Sequence, residues 1–366
     1  MRRSVVLAGV ALVAGALAAP VSVDAATTVV ACSSGGNLQA AIDAARPGDV
    51  LIVRGTCTGT FVVDKDLTLQ GRSGATLDGR GAGVTLTVPE GPDRTPGATV
   101  AVSGMRIVGG DPAGITNYGD LTVANSTVTA NTGAGVKALV VPNPNGAYDF
   151  GSVTIRDSSV SRNVGYGISN GWAAVTIEGS SVSHNTDHGV FSGSQGSVAI
   201  VSTRIAGNGG DGVYAGTQAG ISIDHTTVTA NAGVGIFNGN SAVSVRNSTV
   251  SYNRAGGVAA RDLAYLWMSH DRVTGNAAEN GAGIFVYAHD ETRVHIDDVT
   301  ISGNRARTHG GGLYLGAGVP GTFSGLVITK NSAGVSGGGI YREPGSQTAL
   351  TNLALSGNRP DNCDGC

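Results

Sequence analysis

Apolar and polar positions recur along this chain with a period of 22 or 23 residues. Ten segments align on an asparagine, and each has an aliphatic residue three positions before it and another apolar residue five positions earlier again. The aligned residues are Asn131, Asn163, Asn185, Asn208, Asn231, Asn253, Asn276, Asn304, Asn331 and Asn358. Between Asn163 and Asn276 the steps are 22, 23, 23, 22 and 23 residues, which is too short for a strand–helix–strand unit.

Within each repeat the apolar residues alternate with polar ones. Val175 and Ile177 flank Thr176, which is the period of a strand with one buried face. A second segment places Val182 on the inner face, and a third opens with the pair Gly189-Val190. Three short strands separated by bends form one coil of a solenoid, so the pattern predicts an all-β parallel β-helix of roughly 13 coils.

The aligned asparagines have a structural explanation. Hydrogen-bonded strands of neighbouring coils lie about 4.8 Å apart. An asparagine at the same bend of every coil can therefore donate its amide to the next one, which satisfies buried polar groups and opposes register slips. We predict a continuous asparagine ladder with no catalytic role.

The N-terminal end of the solenoid needs a cover. Leu38, Ala41, Ile42 and Ala45 lie on one face of a predicted short helix that ends before Pro47-Gly48. This helix is the expected cap, because an uncovered coil exposes apolar core and strand edges. We assign residues 27–48 to the cap and residues 49–366 to the parallel β-helix domain.

Residues 1–26 have the pattern of a secretory signal peptide. Two arginines precede the apolar stretch Ser4–Ala19, and small residues surround the expected cleavage position near Ala25. The alternative is an N-terminal membrane anchor, which the short, glycine-interrupted stretch disfavours. No other apolar run is long enough to span a membrane, so we expect a secreted, extracellular protein. The net charge of −3 argues against a nucleic-acid partner.

Two cysteines lie near each end of the expected mature chain. In an exported protein, Cys32, Cys57, Cys363 and Cys366 are expected to form two disulfides. Three pairings are possible, and we favour Cys32–Cys57 with Cys363–Cys366. The Cys363-x-x-Cys366 spacing is also compatible with a redox or zinc site, although no second Cys/His pair lies nearby.

Several segments resemble known families. Leu38–Gly48, Asp49–Val53 and Leu67–Gly71 resemble the opening of pectate-lyase-like right-handed β-helix proteins. The late coils, with Gly310–Tyr314 and Gly337–Tyr341, resemble repeats of the polymorphic outer-membrane-protein type. The resemblance implies a right-handed solenoid. It does not choose a function, because these families include lyases, hydrolases, epimerases, adhesins and proteins of no known activity.

One polar group recurs at the residue directly before the glycine that opens the third strand. Tyr166, His188 and Asp211 occupy this position in three successive coils, so stacking should bring them together. Such a group could remove the C5 proton of a uronate and return another, because histidine titrates near neutral pH. Arg162 and His184 are expected near the same bend as substrate contacts. The alternative is an ordinary polar turn.

Aromatic residues form a second recurrent group. Phe191, Tyr214 and Phe237, and later Phe285, Tyr314 and Tyr341, should point outward along the solenoid. Such a stripe could bind sugar rings, with Tyr148 in the protruding loop 138–152 as a wall. The alternative is cross-strand packing of the repeat itself.

Metal binding has weaker support. His270-Asp271-Arg272, His289-Asp290-Glu291, and His295 with Asp297-Asp298 are expected at outward, solvated positions without metal-ligand spacing. A calcium site near Asp297 and Asp298 is the alternative.

The sequence favours a secreted protein that binds extracellular polysaccharide or a cell-surface glycan along its outer face, with no cofactor required. Two alternatives stay open. One is a polysaccharide lyase or uronate C5-epimerase, for which no acidic cluster typical of such enzymes is evident. The other is a structural or adhesive surface rod. The substrate and the oligomeric state also stay open.

Overall fold

The chain forms a parallel β-solenoid of about 14 turns. The structure is a computed structural model that describes residues 25–142, 148–149, 151–288 and 292–366. Each regular turn contributes one strand to each of three parallel sheets, which we name A, B and C in the order in which the chain passes through them. The three strands per turn predicted from the alternation of apolar residues are therefore confirmed.

Sheet A consists of Thr27–Ala31, Val50–Thr58, Leu67–Asp78, Thr99–Ser103, Asp120–Ala124, Ser152–Arg156, Ala174–Glu178, Ser197–Val201, Gly220–Asp224, Ala242–Arg246, Tyr265–Ser269, Arg293–Asp297, Gly321–Ser324 and Ala349–Thr351. Sheet B consists of Arg106–Val108, Thr127–Thr129, Ser159–Ser161, Ser181–Ser183, Arg204–Ala206, Thr227–Thr229, Thr249–Ser251, Arg272–Thr274, Thr300–Ser302, Val327–Thr329 and Ala354–Ser356, continued by the ends of Val50–Thr58 and Leu67–Asp78.

Sheet C consists of Phe61–Val62, Leu86–Val88, Ala113–Asn117, Ala134–Ala138, Ile168–Asn170, Val190–Ser192, Val213–Ala215, Ile236–Gly239, Val258–Asp262, Ile284–Ala288, Leu313–Leu315, Ile340–Arg342 and Cys363–Asp364. Outside the three sheets, Val141–Pro142 pairs antiparallel with Tyr148–Asp149, and Ala277–Ala278 pairs parallel with Arg305–Ala306. The 3-10 turns are Cys32–Ser34 and Pro92–Arg94.

Stacking in register places like residues above one another. Val175 lies between Val153 and Val198 in sheet A, and Val182 lies between Val160 and Ile205 in sheet B. These inward side chains are almost fully buried and belong to one continuous apolar core. The intervening residues point outward, as a strand period of two requires.

The asparagine ladder is confirmed. From Asn131 to Asn358 each side-chain amide donates to the side-chain carbonyl of the next asparagine, at 2.9–3.1 Å. At one end of the ladder, the Asn131 carbonyl accepts the backbone N–H of Gly110, the residue that replaces asparagine in the preceding coil. At the other end, Asn358 donates to Asn362. Every amide in the ladder is thus satisfied inside the turn.

The position before each asparagine explains part of the glycine content. Its backbone φ lies between +54° and +65° at Ala130, Arg162, His184, Gly207, Ala230, Tyr252, Gly275, Gly303, Lys330 and Gly357. Glycine adopts this left-handed region without steric cost, whereas other residues are strained there.

A second polar ladder lies at the bend between sheets A and B. Backbone N–H groups of Ser126, Ser158, Ser180, Thr203 and Thr226 each donate to the hydroxyl one coil further on, and the row ends at Asp271. The Asp271 carboxylate accepts the N–H groups of Ser248 at 2.8 Å and Ser269 at 3.1 Å.

The prediction that Asp271 is outward and solvated is wrong, because this side chain is only 2% exposed. Burial raises the pKa of its carboxyl to about 7, against the opposing effect of the Ser248 and Ser269 N–H groups.

The structure contains the predicted N-terminal capping helix and a disulfide near each end of the solenoid. Helix α1, Leu38–Ala44, is capped by the Asn37 side chain and buries Leu38 and Ile42 against the first coils. Thr27–Ala31, within the segment assigned to the cap, pairs as the first strand of sheet A. Both favoured disulfides, Cys32–Cys57 and Cys363–Cys366, are present. The predicted signal peptide lies almost wholly outside the described residues, as do His289, Asp290 and Glu291.

Candidate functional site

The predicted group of Tyr166, His188 and Asp211 assembles at the bend that leads from sheet B to sheet C. Each of the three residues precedes the glycine whose N–H begins the pairing of sheet C. The rings of Tyr166 and His188 stack with centroids 5.7 Å apart and an interplanar angle of 6°. All three side chains are partly buried, so the bend is neither fully solvated nor sealed.

The imidazole of His188 is oriented by Asp211. Its Nδ1 accepts the backbone N–H of Asp211 at 2.8 Å, and one carboxylate oxygen of Asp211 lies 3.5 Å from the same nitrogen. A neutral ring therefore carries its proton on Nε2, which lies 3.6 Å from the Asp187 carboxylate. The Asp187 side chain is 45% exposed, so the carboxylate nearest Nε2 faces solvent, whereas the His188 side chain is 20% exposed.

Burial shifts the pKa of two side chains in this group. Burial raises the pKa of the Asp211 carboxyl, although the Val234 N–H and His188 act in the opposite direction. Burial, together with the negative charge of Asp187, also raises the pKa of the Tyr166 hydroxyl. Tyr166 is consequently a neutral phenol, whose hydroxyl can donate a hydrogen bond.

The predicted aromatic stripe is present as a stack of rings. Tyr166, Phe191, Tyr214 and Phe237 follow one another with centroids 4.9–5.2 Å apart and interplanar angles of 11–20°. Near-parallel rings at this centroid separation are stacked with an offset, so that neighbouring faces overlap in part. Phe191 and Tyr214 are thus covered on both faces and turn their edges to solvent, which limits the flat surface that a sugar ring could use.

A comparable stack lies nearer the C-terminus. Phe285, Tyr314 and Tyr341 are stacked with centroids 4.9 and 5.1 Å apart. The guanidinium of Arg261 lies 4.9 Å from the centroid of Phe285, and the Tyr314 hydroxyl donates to Glu343. In both stacks the aromatic side chains therefore pack mainly against one another.

The other predicted contacts lie apart from this group. Arg162 and His184 each directly precede one asparagine of the ladder in the sequence and have left-handed backbone conformations. Both are exposed. In the described ranges, neither shares a ring contact, hydrogen bond or ion pair with Tyr166, His188 or Asp211. The backbone of Tyr148 pairs with Pro142, and its side chain lies outside what the structure describes.

Sequence reasoning missed a trough on the outer face of sheet A. Across four successive coils its floor carries only small outward side chains, and its cavity volume is about 410 Å³. The outward residues are Ala174, Thr176, Ser197, Ala199, Gly220, Ser222, Ala242 and Ser244. The trough runs parallel to the solenoid axis, because each coil contributes to it in register.

The trough ends at two large rings, Tyr265 and Trp267, on the next strand of sheet A. Trp267 is 45% exposed, and the ring centroids of the pair lie 6.1 Å apart. Beyond them lies a groove with a cavity volume of about 720 Å³, which Arg293, His295 and Thr322 also line. A comparison of outward positions in the aligned repeats could have found it, since small residues give way there to aromatic and cationic ones.

Comparison with known proteins agrees with the fold. Residues 140–295 match the family model described as right handed beta helix region. The fold is a right-handed β-helix. No curated protein sequence matches the chain significantly.

Solved structures resemble the chain over most of its length. The A-module of the mannuronan C-5 epimerase AlgE6 of Azotobacter vinelandii shares 16% identity, with a TM-score of 0.56 over 88% of this chain and 94% of the module. The A-module of AlgE4 from the same organism shares 14% identity, with a TM-score of 0.56 over 89% of this chain and 92% of the module. The periplasmic alginate epimerase AlgG shares 11% identity, with a TM-score of 0.50 over 84% of this chain and 76% of the epimerase. At these identities the likeness concerns the fold.

Among the described residues, no group of three or more His, Cys, Asp or Glu side chains is placed to hold a metal ion. No helix in the described part of the chain is long and apolar enough to cross a membrane.

Proposed function

We propose that this protein is secreted and binds extracellular polysaccharide along the outer face of sheet A. The observation that carries the proposal is the unobstructed trough of small side chains that leads to the exposed ring of Trp267. A linear chain of sugars can lie along such a floor with its hydroxyl groups near Thr176, Ser197 and Ser222. The exposed indole supplies the flat apolar surface that the stacked rings of sheet C lack.

The likeness to epimerases supports the proposal only through the fold, in which an extended outer face can accommodate a polymer. The proposed binding requires no cofactor. If a calcium ion at Asp297 and Asp298 were needed instead, binding would disappear after treatment with EDTA and return on addition of calcium.

The direct test is affinity electrophoresis of the purified protein against a panel of neutral and acidic polysaccharides, followed by titration with oligosaccharides of the retained polymer. Trp267→Ala should weaken binding at least tenfold. Tyr252→Ala is the matched control, because Tyr252 is a 67% exposed ring at the bend before Asn253, away from the trough. Retention of full affinity by Trp267→Ala would contradict the proposal, and absence of binding across the panel would favour a structural or adhesive rod.

The group of Tyr166, His188 and Asp211 supports a second candidate function, proton transfer in a lyase or epimerase reaction. The observation that favours it is the oriented imidazole, whose Nδ1 is held by Asp211 and whose Nε2 lies near the solvent-facing Asp187. Activity would appear as unsaturated product absorbing at 235 nm, or as exchange of the C5 proton with solvent. Tyr166→Phe and His188→Ala should each abolish it, and turnover that both variants retain would exclude this site.

A further inference from the structure

The groove beyond Trp267 has an unusual charge for this protein. The chain carries a net charge of −3, yet the nine described residues that line the groove include one arginine and one histidine, and none of these nine is a carboxylate. Arg293 is exposed and makes no ion pair with any residue that the structure describes. Other surface arginines do have acidic neighbours, for example Arg80 beside Asp78 and Arg307 beside Glu279.

The polar groups of the groove are held in two rows by the register of sheet A. Trp267, His295 and Thr322 form one row across three coils, and Tyr265 and Arg293 form the adjacent row. Residues two apart on a strand are separated by about 7 Å, so both rows lie within reach of a single sugar ring.

Two contacts hold this arrangement. His295 Nδ1 lies 2.5 Å from the Thr322 hydroxyl, which orients the imidazole and leaves its Nε2 directed elsewhere. The buried Thr292 hydroxyl donates to the carbonyl of Asp262 and so anchors the start of the strand that presents Arg293. The backbone that carries the Arg293 guanidinium is therefore fixed, and the N–H groups of the guanidinium can donate to a ligand.

We propose that this groove is a subsite for an anionic sugar residue, whose charge is a carboxylate or a sulfate group. The sugar ring packs against the indole of Trp267, the anionic group pairs with the Arg293 guanidinium, and His295 and Thr322 contact ring hydroxyls. A planar guanidinium suits such groups because it can donate two parallel hydrogen bonds. The inference rests on the proposed function and adds the class of ligand and its position at the end of the trough.

Tryptophan fluorescence can report on this subsite, because the chain contains only Trp172 and Trp267. In a Trp172→Phe background the emission comes from Trp267 alone. The probes are an oligogalacturonate, its carboxyl-reduced neutral counterpart, and a sulfated neutral oligosaccharide of equal length. We expect the oligogalacturonate or the sulfated probe to change the emission with at least tenfold higher affinity than the neutral counterpart, and increasing salt should weaken the difference.

Arg293→Gln should reduce the preference for the anionic probe over the neutral probe from tenfold to less than twofold. Arg305→Gln is the matched control, an exposed arginine at the bend between sheets B and C. Whichever anionic probe binds identifies the anionic group.

Equal affinity for charged and neutral probes, or an unchanged preference in Arg293→Gln, would overturn the subsite while leaving polysaccharide binding intact. Failure of every probe, together with absence of polymer binding, would overturn the proposed function itself.

Discussion

The side-chain amide of Asn208 donates to the side-chain carbonyl of Asn231 at 2.9 Å and also reaches the carbonyl of Val182. Its own carbonyl accepts both the backbone N–H and the amide of Asn185. One buried side chain thus makes four hydrogen bonds to three residues of the two neighbouring coils, so its removal should strongly affect the stability of the solenoid.

Asn208→Ala should lower the free energy of unfolding by about 3 kcal/mol or more, because buried donors and acceptors lose their partners. Urea unfolding monitored by circular dichroism measures the change. Asn247→Gly is the control: Asn247 is exposed, its side chain donates one exposed hydrogen bond, to Asp224, and its φ of +50° is one that glycine accepts. Its effect should stay within about 0.5 kcal/mol, and equal losses in both variants would contradict a special role for the ladder.

Asp271→Ser should change how stability depends on pH. The buried carboxyl has a pKa of about 7 in the folded state and about 3.9 when unfolded, so the folded chain binds the extra proton. Its contribution to stability is fully present below pH 4 and is lost as pH rises through 7, by roughly 4 kcal/mol in total. The serine variant, which restores the hydroxyl of the preceding coils, should therefore gain stability relative to the parent between pH 4 and pH 8.

Asp224→Asn should change the pH dependence of stability in the opposite direction to Asp271→Ser. A hydrogen bond from Asn247 lowers the pKa of Asp224, so this carboxylate stabilises the fold above its unfolded pKa and loses that contribution as pH falls. Asp224→Asn should be more destabilising at pH 7 than at pH 3. Difference profiles of the same sign for both variants would contradict the assignment.

Ser222→Tyr should obstruct polysaccharide binding without unfolding the protein. Ser222 is an exposed residue on the trough floor, so a phenol ring there occupies the path of a bound chain. We expect at least a tenfold loss of affinity with an unchanged unfolding midpoint. Thr249→Tyr, at an outward position of sheet B, is the matched control and should bind normally. Equal affinities of the two variants would place the ligand elsewhere.

Ala230→Gly should raise stability by up to about 1 kcal/mol, because φ at this position is +56° and glycine relieves the strain. The same position holds glycine at Gly207 and Gly275. Ala199→Gly, in a strand of sheet A, should be destabilising instead. Glycine loses more conformational entropy on folding than alanine, and the strand backbone there has no strain for glycine to relieve. Chemical unfolding of both variants checks the difference in sign.

The sequence was sufficient for the features that repeat. The asparagine at a fixed offset from two apolar residues predicts the ladder, and Leu38 with Ile42 predicts the capping helix. Repetition makes these inferences safe, because each coil supplies the environment of the next.

The remaining features depend on contacts between coils. Asp271 aligns with Ser248 and could have been recognised as inward, but its charge suggested exposure. The faces of Phe191 and Tyr214 are covered by the rings above and below, which a residue pattern does not reveal. Trp267 and Arg293 line the same groove only because the strands of sheet A are paired in register, and the sequence alone does not show that pairing.

The register of sheet A also makes the trough extensible in whole units. A duplicated coil, such as residues 197–219, would add one strand spacing of about 4.8 Å to the floor and move Trp267 further along the axis. Neighbouring coils would contact the insertion as they contact each other now. The length of the trough that leads to the subsite can therefore change only in whole strand spacings. Duplication of a coil would make such a change and leave the residues of the subsite as they are.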